Sequence, residues 1–257
     1  MKRLSIGFAL FVLALYGGLI ASIFYFLDAQ SLLQSLNSNR VMFAIKTSLT
    51  AATISTFLAL IIAIPAGYGL SRYSFRGKEV VNTLLEFPMV VSPAALGAII
   101  LIFFNNPIGL WIEKNIYNFI FSFGGIILAQ FVTILGVAVR FIKSAFDEVD
   151  TALEDSAKSL GASSFYTFWH IVLPLAKRGI IAATILSWAK ALGEFGATLT
   201  VAGTMAFKSE TLPISIYMHL EMADIKTTLS LILILISFGL GSLFLARRLF
   251  GGRDAKS

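Results

Sequence analysis

The sequence predicts an all-α integral membrane protein with six transmembrane helices, and three observations predict it. Only 13% of the 257 residues are charged, about half of the roughly 25% carried by a soluble domain. Mean hydropathy is +0.85, and apolar runs long enough to cross a bilayer recur along the chain. Basic residues alternate in density from one connection to the next. There is no cysteine and there are only two histidines, so disulfides, thiolate sites and paired-histidine metal sites are excluded. The net charge of +6 suggests nucleic acid at first sight, but its distribution gives another reason for it.

A spanning helix needs about 20 mainly apolar residues. The first candidate covers residues 4–27, behind Lys2 and Arg3. It exceeds the h-region of roughly 7–15 residues in a signal peptide, and Asp28-Ala29-Gln30 is no small-residue cleavage site. A retained helix is expected, with residues 1–40 forming this span and an outer loop. The second span covers about 43–70, the third 84–104, the fourth 119–139, the fifth 179–202 and the sixth 228–249, within a transmembrane domain of residues 41–250. Residues 251–257 form a short tail.

With the N-terminus inside, fourteen Lys and Arg fall on the cytoplasmic side: Lys2, Arg3, Arg72, Arg76, Lys78, Arg140, Lys143, Lys158, Lys177, Arg178, Arg247, Arg248, Arg253 and Lys256. Five fall outside: Arg40, Lys46, Lys114, Lys208 and Lys226. Lys190 lies within the fifth span. The positive-inside rule then places both termini in the cytoplasm of a cell-membrane protein, and the basic excess needs no nucleic acid.

The cytoplasmic connection at about 147–176 is patterned. Thr151 and Glu154 read as a capping box. Val149, Ala152, Leu153, Ser156, Ala157 and Leu160 share one helical face. Gly161 stops that helix by taking positive φ. Ser163 or Ser164 caps a second short helix with an apolar face of Phe165, Phe168, Trp169 and Val172, which Pro174 ends. Five acids, Asp147, Glu148, Asp150, Glu154 and Asp155, would be repelled by an anionic leaflet. That favours a protein partner over a lipid surface.

Asp155-Ser156-Ala157, Gly161 and Ile171-Val172-Leu173-Pro174 resemble the EAA signature of membrane subunits of ABC importers: Glu-Ala-Ala, three residues, Gly, nine residues, then Ile-x-Leu-Pro. Nine residues separate Gly161 from Ile171. The chain departs from the pattern at Asp155, where Glu is usual, and at Ser156, where Ala is usual, while Glu154 stands adjacent. The resemblance implies the type I importer fold and a coupling helix seated on an ATPase subunit, with Glu154, Asp155, Ser156, Ala157, Gly161, Ile171, Leu173 and Pro174 at that contact. It also implies a homodimer, two ATP-binding subunits and an external substrate-binding protein. No G-x-x-x-x-G-K-[ST] occurs in this chain, so ATP and Mg are expected in the partner, with no cofactor here.

Two further stretches are candidates for the pathway. Pro88 and Pro93 cannot both sit in an unstrained helix, so a broken or kinked third span is expected around Ser92. In the fifth span Lys190 and Glu194 are four apart and able to pair along one face, while Gly193 and Gly196 permit close approach, with Thr198 a possible donor. Residues 188–217, above all Gly193 to Thr198, look like the oxyanion branch of these importers, closest to molybdate and tungstate permeases, with sulfate as the alternative. An ion-driven secondary transporter would show internal repeats, and none is evident. No metal motif or Ser/His dyad supports an intramembrane enzyme. The segments around 105–118 and 204–226 are the expected docking surface for the binding protein.

Overall fold

The computed structural model describes residues 2–26 and 28–250. Its regular structure is helical: α1 Lys2–Phe26, α2 Ala29–Leu36, α3 Asn39–Arg72, α4 Lys78–Val90, α5 Pro93–Phe104, α6 Pro107–Asn115, α7 Phe123–Asp147, α8 Thr151–Ser159, α9 Ser164–Thr167, a π-helical turn Phe168–Val172, α10 Leu173–Leu192, α11 Gly196–Ala202, α12 Leu212–Glu221 and α13 Ile225–Phe250. Among the described residues, five continuous helical segments have spanning length and apolarity, and the pair α4–α5, bent by 113°, makes a sixth if counted as one. The proposed tail at 251–257 lies outside the described residues.

Helix α7 is the axis of the bundle. Ala138, Val139, Ile142 and Phe146 in its C-terminal half meet Ala63 and Leu70 of α3 and Val172, Ala176 and Ala183 of the rod leading into α10. In its N-terminal half Ala129 meets Ile100 and Phe104 of α5 and Ala197 and Val201 of α11. Lipid tails are as apolar as leucine, so close van der Waals contact between small residues must hold such helices together. Gly136 shows how close: a Cβ there would stand 2.1 Å from the Leu85 carbonyl of α4. Helix α1 is the opposite case. None of its spanning window is buried in its own chain, and it packs chiefly along α13.

Several expected boundaries move. The second span lengthens to 34 residues, about 50 Å at 1.5 Å per residue, well beyond the roughly 30 Å hydrocarbon core. It runs through Pro65 unbroken and carries Tyr68 to Arg72 out toward the coupling segment. The fourth span extends to Asp147. The third is not one helix: Pro88 is tolerated inside α4, and the chain breaks at Val91–Ser92 so that Pro93 opens α5 at its first turn, where a missing N–H does no harm.

The fifth span differs most from expectation. Pro174 does not end the second short helix. A continuous rod runs from Ser164 to Leu192, because the π-turn at Phe168–Val172 widens the backbone just ahead of the proline ring and relieves its clash with the preceding turn. The rod stops at Gly193, and Gly196–Ala202 forms a separate half-helix. Short helices α2, α6 and α12 were not expected as such. Asp28, Asn106 and Thr211 precede them, and the first two cap through their side chains. At the start of α13, hydrogen bonds from Thr227 hold the Asp224 carboxyl below its ordinary range.

Candidate coupling surface and permeation path

The coupling segment starts where α7 ends. Asp150, not Thr151, caps α8, its carboxylate accepting the Ala152 N–H at 2.9 Å. The capping-box reading therefore fails, and the reason is visible: Glu154 is engaged elsewhere. It is 3% exposed, forms an ion pair with Arg72 of α3 and accepts the Tyr68 hydroxyl at 3.0 Å. Arg72 also donates from Nη2 to the Val149 carbonyl at 2.8 Å. Of the five acids, Asp147 pairs with Lys143 at 2.6 Å and Asp150 is the cap. Of the other two, both exposed, Asp155 makes a long i, i+3 ion pair with Lys158 at 4.0 Å. The acidic character of the surface is weaker than the sequence suggests.

The single apolar face on α8 also divides. Val149 and Ala157 are buried, whereas Leu153 and Leu160 are exposed, Leu160 at 90%. In the second helix Val172 is buried and Phe168 packs on Tyr68, with ring centroids 4.8 Å apart, while Phe165 and Trp169 stand out at 76% and 49% exposure. Gly161 has φ of +90° and nothing within 4 Å of where a Cβ would be. Glycine is therefore demanded by the backbone and not by space. Ser163 caps α9 through the Tyr166 N–H at 3.2 Å. Asp155, Ser156, Gly161 and Pro174 are exposed, Ile171 and Leu173 are half-buried, and Glu154 and Ala157 face the bundle. The signature residues thus form a two-sided plate: one side anchored to α3 and α7, the other presenting Leu153, Leu160, Phe165 and Trp169.

At the opposite end of the bundle, the two breaks meet. A Cβ on Gly196 would stand 3.0 Å from Pro93 Cβ and from the Ala94 nitrogen, so the starts of α5 and α11 are packed together. Ser92 is spent as the α5 cap, accepting the Ala95 N–H at 3.3 Å. Glu194 sits in the α10–α11 break and accepts the Ala197 N–H at 3.0 Å. It is 5% exposed. Lys190 and Glu194 do not share one helix face, because the helix ends between them, and they form no ion pair within 4.0 Å. Lys190 is exposed, as is Gly193, whereas Thr198 is fully buried. Thr198 therefore faces the bundle interior.

Sequence reasoning missed Tyr68, Arg72 and Gln130. Tyr68 and Arg72 are four apart on one helix face, which was the available signal; Arg72 had been used only for orientation. Gln130 is buried at mid-helix and its side-chain carbonyl accepts the Ser55 hydroxyl at 3.2 Å. Near the start of α3, Arg40 and Glu210 pair at 2.8 Å, and the Leu212 N–H donates to Ser48 at 2.7 Å, pinning the start of α12 to α3.

A broken-helix bundle carrying a glycine-turned plate on one end is the architecture of a transporter's membrane subunit. Residues 59–251 match the family model described as binding-protein-dependent transport system inner membrane component. The chain belongs to that family and is its membrane-embedded, translocating subunit. It is 34% identical to the molybdate/tungstate transport system permease protein of Methanocaldococcus jannaschii over 98% of each chain. It is 33% identical to the molybdenum transport system permease protein of Haemophilus influenzae, covering 69% of this chain and 79% of that one. Among solved structures, a bacterial ABC transporter involved in import of the polysaccharide alginate superposes with TM-score 0.74 at 18% identity, covering 97% and 95% of the two chains. At that identity the likeness concerns the fold.

Proposed function

We propose that this chain is the permease subunit of an ATP-driven importer of molybdate and/or tungstate in the cell membrane. In this reading two copies enclose the path and two ATP-binding subunits, which hold ATP and Mg, bind the plates formed by 147–176. An external binding protein delivers the oxyanion to the outer segments 105–118 and 204–226, and both termini are cytoplasmic. The observation that carries the substrate assignment is the end-to-end similarity to a molybdate/tungstate permease.

The geometry supports an anion in one respect. Lys190 is an exposed cation on a spanning rod, without an ion pair, one turn before the break. A charge there would cost about 2.5–3.5 kcal/mol or more against lipid. A pathway shared with an anion removes that cost. Glu194, which would repel a divalent anion, is turned into the bundle as a cap.

The test is uptake into proteoliposomes holding this chain, its ATPase and its binding protein, with molybdate, tungstate, sulfate and phosphate as competitors. Molybdate and tungstate should compete and phosphate should not. Competition by sulfate alone would move the substrate to the sulfate branch. Lys190→Gln should lower uptake about tenfold, the weight of one desolvated charge contact, and Lys190→Arg should retain most of it. Equal uptake in both variants would remove Lys190 from the path.

A further inference from the structure

We propose that Arg72 and Tyr68 are positioning residues that make the inner end of α3 and the plate move as one body, so that force applied to α8 reaches α3 directly as well as through the chain into α10. This rests on the importer reading above and assigns the coupling work to residues outside the signature.

The linkage is built from side chains. The backbone of α8 runs against α9 and the π-turn. What ties it to α3 is Glu154, gripped on both oxygens: Arg72 Nε on one, the Tyr68 hydroxyl at 3.0 Å on the other. The same guanidinium reaches the Val149 carbonyl at 2.8 Å and the Ser71 hydroxyl at 3.0 Å. Ser71 in turn donates to Asp147 of α7, which Lys143 holds. Around this network Tyr68 packs edge-on to Phe146 of α7 at 5.5 Å and to Phe168 of the π-turn at 4.8 Å. One turn of α3 therefore touches the end of α7, Glu154 of α8 and the π-turn.

The ion pair is nearly dry, with the Arg72 and Glu154 side chains 9% and 4% exposed. Such a pair adds little net stability, because desolvation offsets the attraction. Its effect is geometric. Sliding α8 past α3 would strand a buried carboxylate and a buried guanidinium together, which is far costlier than moving the three elements jointly. The adjacent Asp155 is exposed. Two neighbouring acids thus do opposite work, Glu154 gripping inward and Asp155 facing the partner.

The complex with its ATPase and binding protein is reconstituted, and ATP hydrolysed per oxyanion transported is measured. Glu154→Gln and Arg72→Met should each raise that ratio about tenfold while the ATPase still co-purifies, and the double variant should be no worse than either single, as for two halves of one buried contact. Tyr68→Phe, which keeps the ring, should raise it about threefold. Should Glu154→Gln fail to insert, Tyr68→Phe and Arg72→Met carry the test. An unchanged ratio in Tyr68→Phe and Arg72→Met would overturn the proposal. So would loss of ATPase binding in Glu154→Gln matching the loss of transport, since Glu154 would then be a partner contact. A wild-type complex that does not couple hydrolysis to uptake overturns the importer reading itself.

Discussion

Two junctions of the molecule are held together by different chemistry. The α3–α7–α8 junction is polar: an Arg72–Glu154 pair, a Lys143–Asp147 pair and the side-chain cap Asp150. At the other end of α7, α5 and α11 meet through the absence of side chains. A Cβ at Gly97 would lie 2.7 Å from Thr200 Cβ and 3.0 Å from the Ala197 carbonyl. The difference follows from the solvent. Near water, charged groups can be recruited and specified one by one. Within hydrocarbon there is no hydrophobic force between helices, so contact depends on how closely backbones can approach. The α3–α8 junction should therefore fail on lost charge, and the α5–α11 seam on added bulk.

The sharpest way to break this contrast is Gly97→Leu. Four added carbons have no space between α5 and α11, and overpacking costs about 1–3 kcal/mol or more where the neighbour is backbone. The expected outcome is a clear drop in thermal denaturation midpoint in detergent together with loss of uptake, with Gly97→Ala intermediate. A variant that melts and transports normally would show that the seam can open without penalty.

Gly161→Val tests the other side. The residue has φ of +90° and open space around it, so the penalty is backbone strain of about 1–2 kcal/mol, confined to the plate. Uptake per ATP should fall about tenfold, with the bundle's melting temperature unchanged. Gly161→Asn should behave nearly as wild type, because asparagine tolerates left-handed backbone. A fall in melting temperature as large as that of Gly97→Leu would erase the distinction between the two ends.

What could be read from the residues alone follows the same division. The six-span plan, the plate with its glycine turn and the break before Pro93 were legible, because apolar length, loop charge and glycine or proline chemistry are local properties. Three things were not. Glu154 read as a capping residue because capping boxes are local, whereas its partners Arg72 and Tyr68 lie 82 and 86 positions away. Lys190 and Glu194 read as a pair because four-residue spacing presumes an unbroken helix, and the helix ends at Gly193, where the start of α11 packs on Pro93. Pro174 read as a terminator because a π-turn has no sequence signature of its own. The first two misses are places where a tertiary contact overrode a local rule, and the third is a local backbone form the residues do not announce.

The smallest effect expected distinguishes a cap from a strut within the inner end itself. Asp150 and Glu154 are both acids at the start of α8, yet Asp150 bonds only within its own turn, to the Ala152 N–H at 2.9 Å. Removing an N-cap costs about 1 kcal/mol and acts on the first turn alone. Asp150→Ala should therefore speed amide hydrogen exchange at residues 152–154 and leave uptake per ATP within about twofold of wild type, since Arg72 still grips Glu154 and the Val149 carbonyl. Asp150→Ser should restore protection, because a serine oxygen can accept the same bond. If Asp150→Ala instead uncoupled transport as strongly as loss of Glu154, the plate would depend on the integrity of its first turn and not on its attachment to α3. The rigid linkage would then lie in the helix, with the side chains of α3 merely resting against it.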